Sequence, residues 1–368
     1  MPLFPPASCS RLVVKIGSAL LVDADGQVRR VWLEQVAAAI ARRHAEGQQL
    51  AIVSSGAIAL GARRLKLPKG GRASLEDAQA AAATGQIALS QVWAEVLHAQ
   101  GLTAAQMLVT LGDLEDRRRY LNAAATLDRL LNLRVVPILN ENDSVATEEI
   151  RFGDNDRLAA RVAQAAGAQG VVLLSDVDGL YDRNPAQPGA QHIPRIERID
   201  GAIEAMADGG SASGMGSGGM VSKIAAARIA NGAGAHLAIA SGTADQPLSA
   251  EARHSLFVAE RTAPARKAWL AGGLTARGKL HVDAGAAAAL GQGRSLLAAG
   301  VTRIEGSFAR GDLIVIVGAD GKPLARGLSE YAAEDAANIL GRRNEEQAEL
   351  LGYAPRSALV HRNHMALL

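Results

Sequence analysis

The sequence predicts an α/β protein, an αβα sandwich around a mainly parallel sheet, with a second, small β-rich domain behind it. Through roughly the first 260 residues, short β-branched runs alternate with longer alanine-rich helical patterns. That alternation implies a mainly parallel sheet covered by helices on both faces. The residues of chemical interest each come directly after a strand pattern, where ligands collect in folds of this kind. From Lys279 onward the pattern changes to short apolar runs separated by glycine turns, which reads as a compact β domain.

In chain order, Leu12–Ile16 reads as the first strand and Val31–Ala45 as the first helix. Leu50–Val53 is the second strand. It runs into Ser54-Ser55-Gly56, where one serine is expected to cap the helix Ala57–Leu65. Leu75–Gln100 reads as one long helix and Thr103–Val109 as the third strand. Helix Asp116–Leu131 leads to strand Arg134–Leu139, and helix Asp154–Ala166 opens on acidic residues that the helix dipole favours. Strand Gly170–Leu174, helix Met220–Gly232 and strand Ala235–Ala240 complete the pattern. Between about Glu260 and Arg277 the alternation breaks, in a stretch with Pro264, Gly272, Gly273 and four Arg or Lys residues. Beyond it, Lys279–Val282, Val301–Glu305, Asp312–Val317 and Leu324–Gly327 read as strands, with Asp320-Gly321 a hairpin signal between the last two. The expected division is a catalytic domain over 1–262, a linker over 263–277, a β domain over 278–356 and a tail over 357–368.

With 368 residues and 48% apolar content, the chain is long enough for two domains with buried cores. Its 39 basic and 37 acidic side chains leave a net charge of +2. That balance argues against a dedicated polyanion binder while permitting a local basic pocket. One cysteine, Cys9, excludes an internal disulfide framework and a cysteine-rich zinc site; it is expected as a stray thiol on a loose N-terminal segment. The first residues lack the features of an export signal, and no run of roughly 18 apolar residues occurs. A soluble cytoplasmic protein with no membrane association is therefore expected.

The stretch Gly214-Met-Gly-Ser-Gly-Gly-Met-Val-Ser-Lys223 carries the strongest functional signal. Small residues leave backbone N–H groups bare, a helix start supplies partial positive charge, and Lys223 adds a full one. Gly214, Gly216 and Gly219 also satisfy G-x-G-x-x-G, but no strand precedes them, and no Gly-Lys-Ser/Thr closes a Walker loop. A flexible surface loop is the bland alternative. Lys15 ends the first strand beside Gly17 and Ser18. Two lysines in two glycine-flanked loops point to a triphosphate held between them.

Other strand ends carry carboxylates and amides. Whichever of Ser54 and Ser55 does not cap its helix could hold a carboxylate together with the N–H groups around Gly56. Asn140-Glu-Asn-Asp143 follows one strand, and Phe152-Gly-Asp-Asn-Asp156 opens the next helix. Asp143, Asp154 and Asp156 converging on one site would be costly without cations, which a substrate ammonium, the two lysines or Mg²⁺ would supply. Pairing with lysine and ammonium ranks above ligation by these carboxylates alone, so no metal site is assigned. Ser175 and Asp176 end the fifth strand, where a nucleotide would cross the sheet edge. Asp178-Gly179 reads as a turn, and Tyr181 equally as core or as a wall for a base. His44, His98 and His236 lack ligand spacing and a neighbouring candidate serine, which disfavours zinc or triad chemistry.

Taken together, these segments closely resemble the amino acid kinase family. The match is carried by VVKIGSALL at 13–21, IVSSGAIALGA at 52–62, NENDSVAT at 140–147, FGDNDRLAARVA at 152–163, LLSDVDGLYDRNP at 173–185 and SASGMGSGGMVSK at 211–223. Arg117–Asn122 fits the loop before the family's long helix. From about Gly278 to Tyr353 the chain resembles the PUA domain that some members append. Single segments are shared with members acting on aspartate, acetylglutamate, carbamate or uridylate; NEND with GDND and the PUA-like tail points to the branch acting on L-glutamate. The resemblance implies transfer of the γ-phosphoryl group of ATP to the side-chain carboxylate of L-glutamate, the first step of proline synthesis, with Mg²⁺ bound mainly through the ATP phosphates.

On the same resemblance, Lys15 and Lys223 would neutralise the transferring group and Asp156 would hold them in place, with Asp154 close by. Ser55, Asp143 and Asn155 would bind glutamate beside Asn140. Ser175, Asp176, Ser217, Gly218, Gly219, Met220, Val221, Ser222 and Lys223 would bind ATP together with Lys15. Ser54 and Ser175 stand where relatives often have threonine, and the hydroxyl survives. A carboxylate nucleophile is ionised at neutral pH and needs no general base, which accounts for the lack of a poised histidine. Proline as feedback inhibitor, a homo-oligomer (dimer or tetramer) and handover to a glutamyl phosphate reductase are implied as well. Nucleic acid is an unexpected partner, because Gly278–Pro355 carries eight Lys or Arg against ten Asp or Glu, a net charge of −2.

Overall fold

A computed structural model describes residues 3–23, 26–145, 154–207, 219–244, 248–259, 276–342 and 344–368. It divides into two compact units, one of Met1–Glu115 with Ala123–Glu260 and one of Asp116–Asn122 with Arg261–Leu368.

The first unit alternates strands and helices as the sequence predicts. Strand β1 (Arg11–Ile16) leads through the short helix α1 (Ser18–Leu21) to α2 (Arg30–Ala45) and β2 (Gln49–Ser54). Helices α3 (Ala57–Arg64) and α4 (Leu75–His98) follow, then β3 (Ala104–Val109), α5 (Leu111–Glu115), α6 (Arg117–Asn132, of which residues up to Asn122 are grouped with the second unit) and β4 (Val136–Glu141). Next come α7 (Asp154–Ala166), β5 (Gly170–Ser175) and the two-residue strands β6 (Leu180–Tyr181), β7 (His192–Ile193) and β8 (Arg195–Ile196). The unit closes with α8 (Gly201–Ala207), α9 (Met220–Gly232), β9 (His236–Ser241) and β10 (His254–Phe257).

Eight strands form one sheet in the order β3-β4-β2-β1-β5-β9-β10-β8, parallel except where β10 runs against β9. Strand β1 has β2 on one side and β5 on the other, so the chain direction of winding reverses at its carboxyl end, the position that gathers ligands in open α/β sheets. Register brings Ile16 level with Ser54 on one flank and Leu174 on the other.

Strand alternation then sorts the side chains. Leu12, Val14 and Ile16 enter the core shared with α2 and α4, alongside Leu33, Ile40, Leu89 and Trp93. Lys15 takes the opposite parity, with Val13, and α7 packs across β1 and against α9. Helices α3 and α4 cross unusually closely. A Cβ on Gly61 would lie 1.8 Å from the Ala81 carbonyl oxygen, and one on Gly85 equally close to that of Ala57.

Three expectations change. Neither serine caps α3: its N-cap is Gly56, in the left-handed region at φ 113°, where a Cβ would strike Leu21. Ser54 instead accepts the buried Trp93 indole N–H at 2.9 Å and donates to the Ser55 carbonyl. The N-terminal segment is packed rather than loose. The buried Arg43 guanidinium donates to the carbonyls of Leu3, Phe4 and Leu248, and Gln48 donates to those of Phe4 and Cys9. Cys9 is buried there, and burial pushes its thiol up to about 11.

The second unit holds a five-stranded sheet, β12-β11-β13-β14-β15, built from β11 (Gly278–Val282), β12 (Val301–Gly306), β13 (Leu313–Val317), β14 (Pro323–Leu328) and β15 (Met365–Leu367). Leu280, Ile314, Ile316, Tyr331, Leu359 and Val360 centre its own core. The β13–β14 hairpin turns at Gly321, φ 78°, as Asp-Gly predicts. The stretch 357–368, expected as a tail, supplies β15, which pairs with β14 along Ala325–Gly327. Three residues are too few to show a strand pattern in sequence.

Candidate active site

One buried carboxylate organises the site. Asp156, in the first turn of α7, is fully buried; its two oxygens meet Lys15 Nζ at 2.6 Å and Lys223 Nζ at 3.0 Å. Three elements supply the trio: the end of β1, the start of α7 and the first turn of α9. Burial pushes the Asp156 carboxyl up, but the Lys15 and Lys223 charges outweigh it and hold the group below its ordinary range. Burial pulls Lys223 down first; Asp156 opposes that and Lys15 adds to it. Two ammonium groups share one carboxylate, so the trio carries a net positive charge where water is largely excluded.

Of the residues expected to bind a nucleotide, Asp176 lies close enough to Lys223 to raise its pKa. Ser175 is buried at the end of β5 and donates to Asp176 Oδ1 at 2.9 Å; Asp176 is exposed. Gly219 is the N-cap of α9, ahead of Met220, Val221 and Ser222, with no side chain capping the helix among the described residues. Ser217, Gly218 and the rest of 208–218 lie outside the described residues, as does the Asp154 side chain.

A second cluster adjoins through the neighbouring residue on α7. Asn155 donates from Nδ2 to Ser55 Oγ at 2.7 Å and to Asn140 Oδ1 at 3.1 Å. Asn140 is buried at the end of β4 and donates in turn to Gln86 Oε1 at 2.9 Å. The Asn155 carbonyl oxygen is buried without a partner among the described residues. Asp143 stands outside this chain of amides. It lines a cavity of about 430 Å³ with Gln86, Ser90, Gln106, Glu141 and Ser144. Burial raises its carboxyl from the usual range to about 6. The structure thus brings Lys15, Lys223 and Asp156 into contact, and Ser55, Asn155 and Asn140 likewise.

Gln86 is the member of this hydrogen-bonded cluster that sequence reasoning missed. It sits on the apolar side of α4, among Ala82, Gly85, Leu89 and Trp93, where a buried amide is out of place unless bonded. That misplacement was the available signal.

The model of the amino acid kinase family matches residues 10–241, spanning both clusters. The chain belongs to that family. A PUA domain matches residues 278–350. The curated relatives of the family include the glutamate 5-kinase of Sphingopyxis alaskensis, 80% identical over 368 residues and covering all of both chains. That of Novosphingobium aromaticivorans is 62% identical over 98% of this chain and 97% of its own. That of Zymomonas mobilis is 60% identical over all of this chain and 93% of its own. The segments at 13–21, 52–62, 140–147 and 173–185 each span the carboxyl end of a sheet strand, whereas Arg117–Asn122, expected as a loop, forms the start of α6.

Proposed function

We propose that this protein is a glutamate 5-kinase: it moves the γ-phosphoryl group of ATP onto the side-chain carboxylate of L-glutamate, opening proline synthesis. The observation that carries the reading is the buried trio, in which one carboxylate aims two ammonium groups at the end of β1. Phosphoryl transfer needs positioning and charge neutralisation more than proton removal, and a carboxylate acceptor is already ionised. Lys15 and Lys223 neutralise the group in flight, held apart and oriented by Asp156.

ATP would lie against Ser175, Asp176 and the start of α9, with Ser217 and Gly218 contributing backbone N–H groups. Mg²⁺ would arrive on the nucleotide phosphates and neutralise part of their charge. Asp156 is committed to two lysines and does not suit a metal, which favours binding through the phosphates. Glutamate fits the second cluster: Ser55 and the uncapped start of α3 suit its α-carboxylate, while the unpartnered Asn155 oxygen and the Asp143 carboxylate suit its ammonium. Asn140 fixes Asn155, and Asp154 lies one residue away.

The kinase domain is proposed to extend over 1–262 and the PUA-like domain over 278–368, since β15 and the buried Leu359 and Val360 belong to its sheet and core, the latter domain in a regulatory or packing role. Proline inhibition, assembly as a dimer or tetramer and a cytoplasmic setting, where ATP is available, follow from the same reading. The acyl phosphate product hydrolyses readily, which makes direct handover to a glutamyl phosphate reductase advantageous.

Trapping the product with hydroxylamine tests the assignment. Hydroxamate should form only with ATP, Mg²⁺ and L-glutamate together, and proline should suppress it. Preference for aspartate or acetylglutamate would overturn it.

A further inference from the structure

The hydrogen bonds linking α4, β4 and α7 have a direction, and the direction starts at Ser90. The Ser90 hydroxyl donates to the Gln86 backbone carbonyl at 2.7 Å, one helical turn back. Its proton is thereby committed, and its oxygen accepts from Gln86 Nε2 at 3.5 Å. Gln86 must then turn Oε1 to Asn140, whose Nδ2 donates to it at 2.9 Å. Asn140 consequently faces Asn155 with Oδ1, and Asn155 must answer with Nδ2. The second proton of that amide goes to Ser55 Oγ. Both amide protons of Asn155 are spent, and the remaining oxygen is buried with no partner among the described residues.

We propose that Gln86, backed by Ser90, is a positioning residue that sets the polarity of this relay so that Asn155 offers the substrate an acceptor and never a donor. The inference rests on the glutamate kinase reading and deepens it. A buried carbonyl oxygen without a partner selects a ligand that brings a donor, here the α-ammonium of an amino acid. A dicarboxylate lacking the amine leaves that oxygen desolvated and unpaired, the situation in which hydrogen-bonding sites discriminate most strongly. If the relay could run in reverse, Asn155 would present an N–H group instead, and the ammonium would be repelled.

The test compares L-glutamate with glutarate, the same chain without its amine, by steady-state ADP release. Wild type, Gln86→Met and Ser90→Ala are measured after thermal melting shows each to be folded. Gln86→Met keeps the length of the side chain and removes its acceptor and donors. It should raise KM for L-glutamate about tenfold or more, leave kcat within about threefold and hardly alter glutarate turnover. The preference for glutamate over glutarate should shrink accordingly. Ser90→Ala should move it the same way by less, and carries the test alone if Gln86→Met does not fold. Adding Gln86→Met to Asn140→Ala should cost little more than Asn140→Ala by itself. An unchanged preference, or equal losses on both substrates, would overturn the relay. A wild-type protein inactive on L-glutamate would instead overturn the function on which the relay depends.

Discussion

At Lys223 burial works against the ammonium charge and prevails, and Asp156 offsets it in part. Replacing Lys223 by Ala removes an ammonium from the transferring group while leaving the amide cluster intact. Turnover should fall by roughly two to three orders of magnitude, with little change in KM for glutamate. Equal damage to both constants would contradict a transition-state role. Asp156→Asn leaves two buried ammonium groups without their shared counter-charge, so it should cost about 3–5 kcal/mol in denaturant unfolding. Asp143 gives the pH dependence. Burial raises its carboxyl to about 6, so it loses its charge as the pH falls through that value, and with it the attraction proposed for the glutamate ammonium. The profile of kcat/KM for glutamate should therefore decline below about pH 6, and the decline should vanish in Asp143→Asn. The same shift means that ionised Asp143 opposes folding above pH 6, so Asp143→Asn is expected to melt higher than wild type at pH 8. Lys15 was legible in sequence because a charge interrupts an apolar strand, Lys223 because it follows a glycine-rich run, and Asp143 and Asp156 because they stand just after a strand and at a helix start. Gln86 was not, since what marks it is a contact with Asn140, 54 residues further along the chain.

Helices α3 and α4 meet through backbone rather than side chains, and that contact sets where Gln86 stands. A methyl group at Gly61 or Gly85 would penetrate the opposing carbonyl by far more than a rotamer change relieves. Gly61→Ala should destabilise the fold by about 1–3 kcal/mol or more and weaken glutamate binding by displacing α4. Gly232, in the last turn of α9, has open space around the position of its missing Cβ. Gly232→Ala should be neutral or stabilising by up to about 1 kcal/mol, and paired melting curves of the two variants check the contrast. Elements with a long period were the legible ones: the helices α2, α3, α4, α6, α7 and α9 and the six strands of the parallel run were expected within a few residues of where they stand, whereas the eight-residue helices Ala284–Gly291 and Asn344–Leu351 were not. The short strands β6, β7, β8, β10 and β15 were not, because two to four residues carry no period to read and owe their pairing to neighbours far along the chain.

For the molecule as a whole, the two units titrate around different acids. In the second, the buried Glu330 meets His364 at 3.3 Å, Arg310 at 3.4 Å and Arg356 at 4.0 Å. Burial pushes this carboxyl up, but His364 and the two arginines prevail and hold it below the ordinary range. Its contribution to stability is therefore complete above the ordinary carboxylate pKa and is lost as the pH falls through the lowered one. Glu330→Gln should flatten the acid limb of that unit's unfolding, followed by tryptophan-independent circular dichroism. In the first unit, Asn155 and Asp156 are consecutive residues on α7, about 100° apart around its axis. On the proposed function, acceptor recognition and donor activation are thereby geared to one shaft. A displacement of that helix that loosened the grip on the amino acid would also detune the phosphoryl machinery, so wrong-sized acceptors would be penalised twice, once on entry and again at the barrier.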